Sequence, residues 1–203
     1  MDLADVWFVG NSANDGGAIA ITGSGKLTDP TPVPPGPMPI GPPGPIVYDV
    51  RFYENTARAD GGAVFYRSSN QTSVLDHVAF GSNTSAARGG GIAVLKGTLS
   101  LTESTFGANQ ATAFGPNGAG IHIEGTPNSN AKVVATRVKF DNNNGLGGFG
   151  VFISSWGEFQ SHGCDFSNNN MIWIGRTPVA PRQPLNPLGT YTPDPNDPDI
   201  NMM

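Results

Sequence analysis

The sequence predicts an all-β chain: a right-handed parallel β-helix, a solenoid of about six coils. Three observations predict it. A Phe-x-x-Asn pair recurs six times, a glycine cluster recurs in phase with it, and apolar and polar residues alternate around both.

The Phe-x-x-Asn pairs are Phe8 and Asn11, Phe52 and Asn55, Phe80 and Asn83, Phe106 and Asn109, Phe140 and Asn143, and Phe166 and Asn169. Successive phenylalanines are 44, 28, 26, 34 and 26 residues apart, a period of about 26 with insertions. Repetition at 20–50 residues marks stacked units that bury their apolar faces on one another.

The first strand of each coil surrounds the phenylalanine. Two residues before it stand Val6, Val50, Val78, Ser104, Val138 and Cys164. Side chains alternate along a strand, so these residues share the inner face with Phe. Between them lie Trp7, Arg51, Ala79, Thr105, Lys139 and Asp165, mostly polar and facing out. A second strand follows the glycine cluster, as in Ala18-Ile19-Ala20-Ile21, Ala63-Val64-Phe65-Tyr66, Gly91-Ile92-Ala93-Val94, Gly120-Ile121-His122-Ile123 and Gly150-Val151-Phe152-Ile153. The preceding pairs Gly16-Gly17, Gly61-Gly62 and Gly89-Gly90 supply positive φ for a sharp corner. A third, weaker strand leads to the next Phe and carries Val74, Leu75, Leu99, Leu101, Val133, Val134 and Phe159.

Strands stacked about 4.8 Å apart place equivalent residues above one another. Phe then lies on Phe inside, and the six asparagines form an amide ladder at one corner. A sandwich of β-hairpins is the competing fold; it needs turn signals every 8–12 residues and no fixed long period.

The paired motifs resemble the repeats of chlamydial polymorphic outer membrane proteins, a β-helix family of the pectin lyase-like class. The residues that carry the resemblance are Phe8-Val9-Gly10-Asn11 with Gly16-Gly17-Ala18-Ile19, and Phe52-Tyr53-Glu54-Asn55 with Gly61-Gly62-Ala63-Val64. Later copies drift to Gly89-Gly90-Gly91-Ile92 and Gly118-Ala119-Gly120-Ile121, and the last Phe-x-x-Asn has no glycine pair after it. The resemblance spans residues 6–174. It implies exported, surface-displayed, adhesive stalks. The chain departs from that plan in having a proline-rich tail where the family has a membrane barrel.

The domain reading is a β-helix over 1–176 and a proline-rich extended tail over 177–203. Within the helix, 28–46 is an insertion with nine prolines, which excludes a ladder strand and predicts a polyproline II loop. Shorter insertions at 67–72 and 124–130 fall between second and third strands, on one edge of the rod; such loops often mark a binding face. Met171-Ile172-Trp173-Ile174 reads as a final strand.

Composition narrows the function. Net charge is −5 and charged residues are 13%, with no clustered basic face for nucleic acid. No apolar run reaches the ~20 residues of a membrane span, and Met1–Asp5 has no signal-peptide pattern. Catalytic, metal and cofactor sites are not evident. Asp5, Asp49, His77, Glu103 and Arg137 all stand three before Phe, an exterior column of alternating charge. His77, His122 and His162 fall at different phases of the repeat, and Cys164 takes an inward slot. The spaced acids of Asp194-Pro195-Asn196-Asp197-Pro198-Asp199 lack the glycine bend of a calcium loop.

Two sequons are present. Asn70 lies in an insertion and is the better glycan acceptor, whereas Asn83 belongs to the ladder. In an algal or plant source, Pro32, Pro34, Pro35 and Pro37 are candidates for hydroxylation and O-glycosylation. The expected function is structural and extracellular or at the cell surface: a rigid segment of a fibre, appendage or adhesin. Its expected partners are itself, head to tail, another surface protein, or glycans. Trp7 and Phe8 at an uncapped first coil motivate the end contact. The alternative is a polysaccharide-binding or polysaccharide-cleaving β-helix enzyme.

Overall fold

The computed structural model describes residues 6–23, 50–113, 117–145, 149–169, 172–174 and 190–192; at 69–71, 145, 149, 172–174 and 190–192 it describes the backbone alone. These residues are all-β. The first repeat gives β1 (Val6–Val9), β2 (Ser12–Ala13) and β3 (Ile19–Gly23). The second gives β4 (Val50–Tyr53), β5 (Thr56–Ala57) and β6 (Val64–Asp76), and the third β7 (Val78–Gly81), β8 (Thr84–Ser85) and β9 (Ile92–Thr102). The fourth gives β10 (Thr105–Gly107), β11 (Gln110–Ala111), β12 (Gly118–Ile123) and β13 (Ala131–Thr136). The fifth gives β14 (Lys139–Asp141), β15 (Asn144–Gly145), β16 (Phe149–Ile153) and β17 (Gly157–His162). Beyond the sixth phenylalanine come β18 (Ile172–Ile174) and β19 (Thr190–Thr192).

These strands form three sheets whose ladders are all parallel. The Phe strands make the first, in the order β1-β4-β7-β10-β14. Its register sets Phe8 against Phe52, Phe52 against Phe80, Phe80 against Phe106 and Phe106 against Phe140. The second sheet, β2-β5-β8-β11-β15, consists of two-residue strands directly after each ladder asparagine. The third has nine strands. In it Ile92–Val94 of β9 pairs with β12, while Gly97–Thr102 pairs with β13.

The second and third strands expected in each repeat thus belong to one sheet, and in β6 and β9 they are continuous. The expected corner insertion at 67–72 is corrected accordingly: it lies inside β6. Arg67 pairs with Lys96 and Thr72 with Thr98, so the extra residues of β6 are taken up as a bulge opposite Gly97. Side-chain alternation also divides the third-strand residues. Leu75, Leu99, Leu101, Val133 and Phe159 are buried, whereas Val74 and Val134 face the other way and are half-buried. Ser73 fills the inward slot paired with Leu99.

One apolar cluster runs through the described residues, from Ile19 and Val50 to Phe159 and Cys164. Gly61 and Gly89, at φ 68° and 65°, make the turn into the third sheet. A Cβ on Gly89 would lie 2.2 Å from the Ile92 carbonyl oxygen, so the turn packs directly on strand backbone. Most of the 177–203 tail lies outside the described residues. Its proline-free Thr190–Thr192 segment returns as a strand beside β17. The 28–46 insertion, with Pro32, Pro34, Pro35 and Pro37, lies outside the described residues. No helix among those described is long and apolar enough to cross a membrane.

Candidate functional site

Stacking in register brings all twelve predicted ladder residues into two columns. The rings of Phe8, Phe52, Phe80, Phe106, Phe140 and Phe166 stack with centroids 4.5–5.0 Å apart and planes within 15°. Phe52, Phe80, Phe106 and Phe140 are fully buried.

The asparagines beside them form a directional ladder. Each side-chain oxygen accepts two bonds from the preceding rung, one from the backbone N–H and one from the amide. Asn55 Oδ1 accepts from Asn11, Asn83 Oδ1 from Asn55, Asn109 Oδ1 from Asn83, Asn143 Oδ1 from Asn109 and Asn169 Oδ1 from Asn143. The second amide hydrogen is given to the phenylalanine carbonyl of the preceding repeat, as from Asn83 to Phe52 at 2.9 Å and from Asn143 to Phe106 at 2.8 Å. This satisfies the amide fully inside a low-dielectric column. Asn83 is 0% exposed and its amide is committed to the ladder. Asn70 lies in β6 with its side chain outside the described residues.

Sequence reasoning missed the backbone that aims these amides. The residue before every ladder asparagine has positive φ: Gly10, Glu54, Ser82, Ala108, Asn142 and Asn168, between 53° and 65°. Only Gly10 carries the usual glycine signal. The column three before Phe has the same conformation at His77, Glu103, Arg137 and Gly163. Its expected pairing between repeats is present. His77 Nε2 lies 2.8 Å from Glu103 Oε2, and Arg137 donates to Glu103 through Nε at 2.8 Å. The Arg137 guanidinium, more than any other group, holds the Glu103 carboxyl below its ordinary value. Asp5 and Asp49 lie outside the described residues.

A charged cluster at the glycine turns was also missed. Asp60 and Arg88 each precede a corner glycine, as Asp15 does, and that fixed phase is the signal. Arg88 donates to Asp60 from Nε at 2.9 Å and Nη2 at 2.6 Å, and to Glu124 from Nη1. Asp60 raises the guanidinium further above its ordinary value. Glu124 also stands 3.5 Å from Nε2 of His122, which is 3% exposed and stacks at a tilt on Phe152. His122 and Arg88 hold the Glu124 carboxyl low, and burial pushes the His122 imidazole down.

The loop that follows Glu124 walls a groove. Thr126 and Ser129 exchange backbone bonds of 2.7 and 2.9 Å around Pro127-Asn128. Proline at the second and asparagine at the third position suit such a turn. The loop is fixed on both sides, by Gly125 N–H to the Ser155 carbonyl and Gly97 N–H to the Asn130 carbonyl. Between Pro127–Asn130 and the strand residues Thr72, Lys96 and Thr98 lies a groove of about 570 Å³. Two segments expected on one edge, 67–72 and 124–130, therefore meet there. Hydroxyls, amides and the Lys96 ammonium are its chemistry.

The remaining candidates stay apart. His77 is at the exterior column, His122 buried and His162 exposed. Among the described residues no group of three His, Cys, Asp or Glu is placed to hold a metal ion. Cys164 is inward and 3% exposed, its thiol 3.4 Å from the Ala135 carbonyl oxygen. No family model, no curated protein and no solved structure matches the chain.

Proposed function

We infer that the chain is a right-handed parallel β-helix of about six coils, serving as a rigid structural segment of an extracellular fibre, appendage or adhesin. The resemblance to the repeats of polymorphic outer membrane proteins agrees with this reading. One observation carries it: the phenylalanine and asparagine columns continue without a break from Phe8 and Asn11 to Phe166 and Asn169. Such columns tie each repeat to the next and give a stiff rod. On this reading the chain is not an enzyme.

The amide ladder also favours head-to-tail contact between copies. It is directional, so a further rung adds in one sense only. Trp7 and Val9, beside the first rung, are 64% and 53% exposed. Heterologous contacts of that kind give open filaments. Sedimentation of the chain across micromolar concentrations tests assembly. Growth that is lost in Trp7→Asp supports it; a monomer throughout overturns it.

The groove favours a second reading, polysaccharide binding, because its lining of hydroxyls, amides and one ammonium suits a polyhydroxylated, acidic ligand. Calorimetric titration with uronate oligosaccharides decides this: binding weakened by Lys96→Ala supports it, and no heat sinks it.

A further inference from the structure

His122 is an outward-facing residue of β12 that is nevertheless closed off from water. Its strand neighbours Ile121 and Ile123 belong to the apolar core, whereas it stands in register with Ala93 on one side and Phe152 on the other. Neither ring nitrogen has a hydrogen-bond partner. A buried polar group left so is costly and rare. At 3.5 Å the Glu124 carboxylate is too far for a good bond but close enough to make one after a small shift.

The carboxylate is held where it is by Arg88, which is itself fixed in a fork on Asp60. Glu124, Arg88 and Asp60 are the charged groups that face the ring: Glu124 from its own segment, Arg88 from the turn before β9, Asp60 from the turn before β6. The packed strands β9 and β16 present only Ala93 and Phe152. Glu124 is also the first residue of the loop that walls the groove, its N–H bonded to the Val94 carbonyl and the next N–H to Ser155.

We propose that His122 is a proton-operated release for the 124–130 loop: a proton on the buried ring draws Glu124 off Arg88 and loosens the groove wall. A neutral imidazole makes only the long 3.5 Å contact to Glu124 and leaves the carboxylate on Arg88. An imidazolium in this dry site either takes Glu124 as its partner or opens the loop to reach water, and both displace the carboxylate. Arg88 stays on Asp60, with which it makes more bonds. The direction of pH dependence follows. Burial keeps the folded ring from protonating at the ordinary pH, so the unfolded chain takes up the proton first. Stability is full above the unfolded value of about 6.5 and falls as pH drops below it, until the folded ring protonates in turn. The device therefore works below that unfolded value and leaves solution above it unaffected.

Amide exchange on the full chain at pH 7.5 and pH 5.0, corrected for the intrinsic rate, reads the loop directly. The expected result is a loss of protection at Glu124 and Gly125 at the lower pH, with Phe106 and Asn109 unchanged. The same loss should be absent in His122→Phe, which fills the slot between Ala93 and Phe152 without a titratable group. Between pH 6.5 and 5.5 the wild-type melting temperature should fall by about 2–4 °C more than that of His122→Phe. Equal protection at both pH values, or equal loss in the variant, overturns the proposal. Should His122→Phe not fold, the wild-type imidazole titrated by NMR replaces it. A midpoint below the ordinary value, with the Glu124 and Gly125 amides shifting at that midpoint, upholds the release; an ordinary midpoint, or amides that do not move with it, overturns it.

Discussion

The side-chain amide of Asn109 lies 2.8 Å from Oδ1 of Asn143 and 3.0 Å from the carbonyl oxygen of Phe80, so one residue ties three successive repeats together. Its own oxygen accepts from the backbone and side chain of Asn83. Asn109→Ala removes both halves and leaves buried backbone groups unpaired, a loss of about 1–3 kcal/mol. Asn109→Asp is worse, because it sets a carboxylate against the Phe80 carbonyl and Asn143 Oδ1. Urea unfolding of the two variants ranks them; Asp no worse than Ala would show that the amide is not donating.

Phe106 sits between Phe80 at 4.5 Å and Phe140 at 5.0 Å, with no exposure. Phe106→Ala opens a cavity in the middle of the stack and costs about 3–5 kcal/mol. Phe8, stacked on one side and half-buried, loses less on the same change. Thermal melts separate the two. An equal loss at both positions would mean that the stack is no better packed in its middle than at its end.

The sequence exposed what repeats in side chains and hid what repeats in backbone. The Phe and Asn columns were legible because each rung uses the same residue. The αL position before each asparagine was not, because Glu54, Ser82, Ala108 and Asn142 share no side chain. They are held in place by the ladder bonds on either side. The fused β6 was hidden for a related reason: its polar 67–72 stretch looks like a loop, and only pairing with β9 makes it a strand. The Asp60–Arg88–Glu124 cluster joins residues from three repeats with different side chains. Asp60 and Arg88 become visible when the position before each corner glycine is read as a column; Glu124, which follows β12, stands outside that column and only the fold brings it in.

The two kinds of positive-φ site predict opposite responses to the same exchange. Ala108, at φ 53°, already carries a Cβ in a conformation that disfavours one. Ala108→Gly relieves about 1–2 kcal/mol of that strain, offset by about 0.4–1 kcal/mol of extra freedom in the unfolded chain. The net change is neutral to stabilising. Gly89→Ala adds a Cβ at φ 65° that meets the Ile92 carbonyl oxygen at 2.2 Å. Backbone strain alone costs about 1–3 kcal/mol there, before the clash. Chemical denaturation of both variants checks the sign, and a stabilised Gly89→Ala would contradict the packing of that turn.

The exterior column predicts a small acid-side effect with a defined direction. Arg137 and His77 both bond Glu103 and hold its pKa below the ordinary carboxylate value, Arg137 contributing most. A carboxyl lowered in the folded state adds stability above its unfolded value and loses it as pH falls through the folded one. Arg137 is 60% exposed, so water and salt screen the pair and its worth is under about 1 kcal/mol. In Arg137→Ala the Glu103 carboxyl should titrate closer to 4.5, and the chain should lose slightly less stability between neutral pH and pH 3 than the wild type. Carbon-detected NMR titration of Glu103 reads the first quantity and denaturant melts the second. Glu103 titrating at the ordinary value in the wild type would show that the Arg137 contact is not kept in solution.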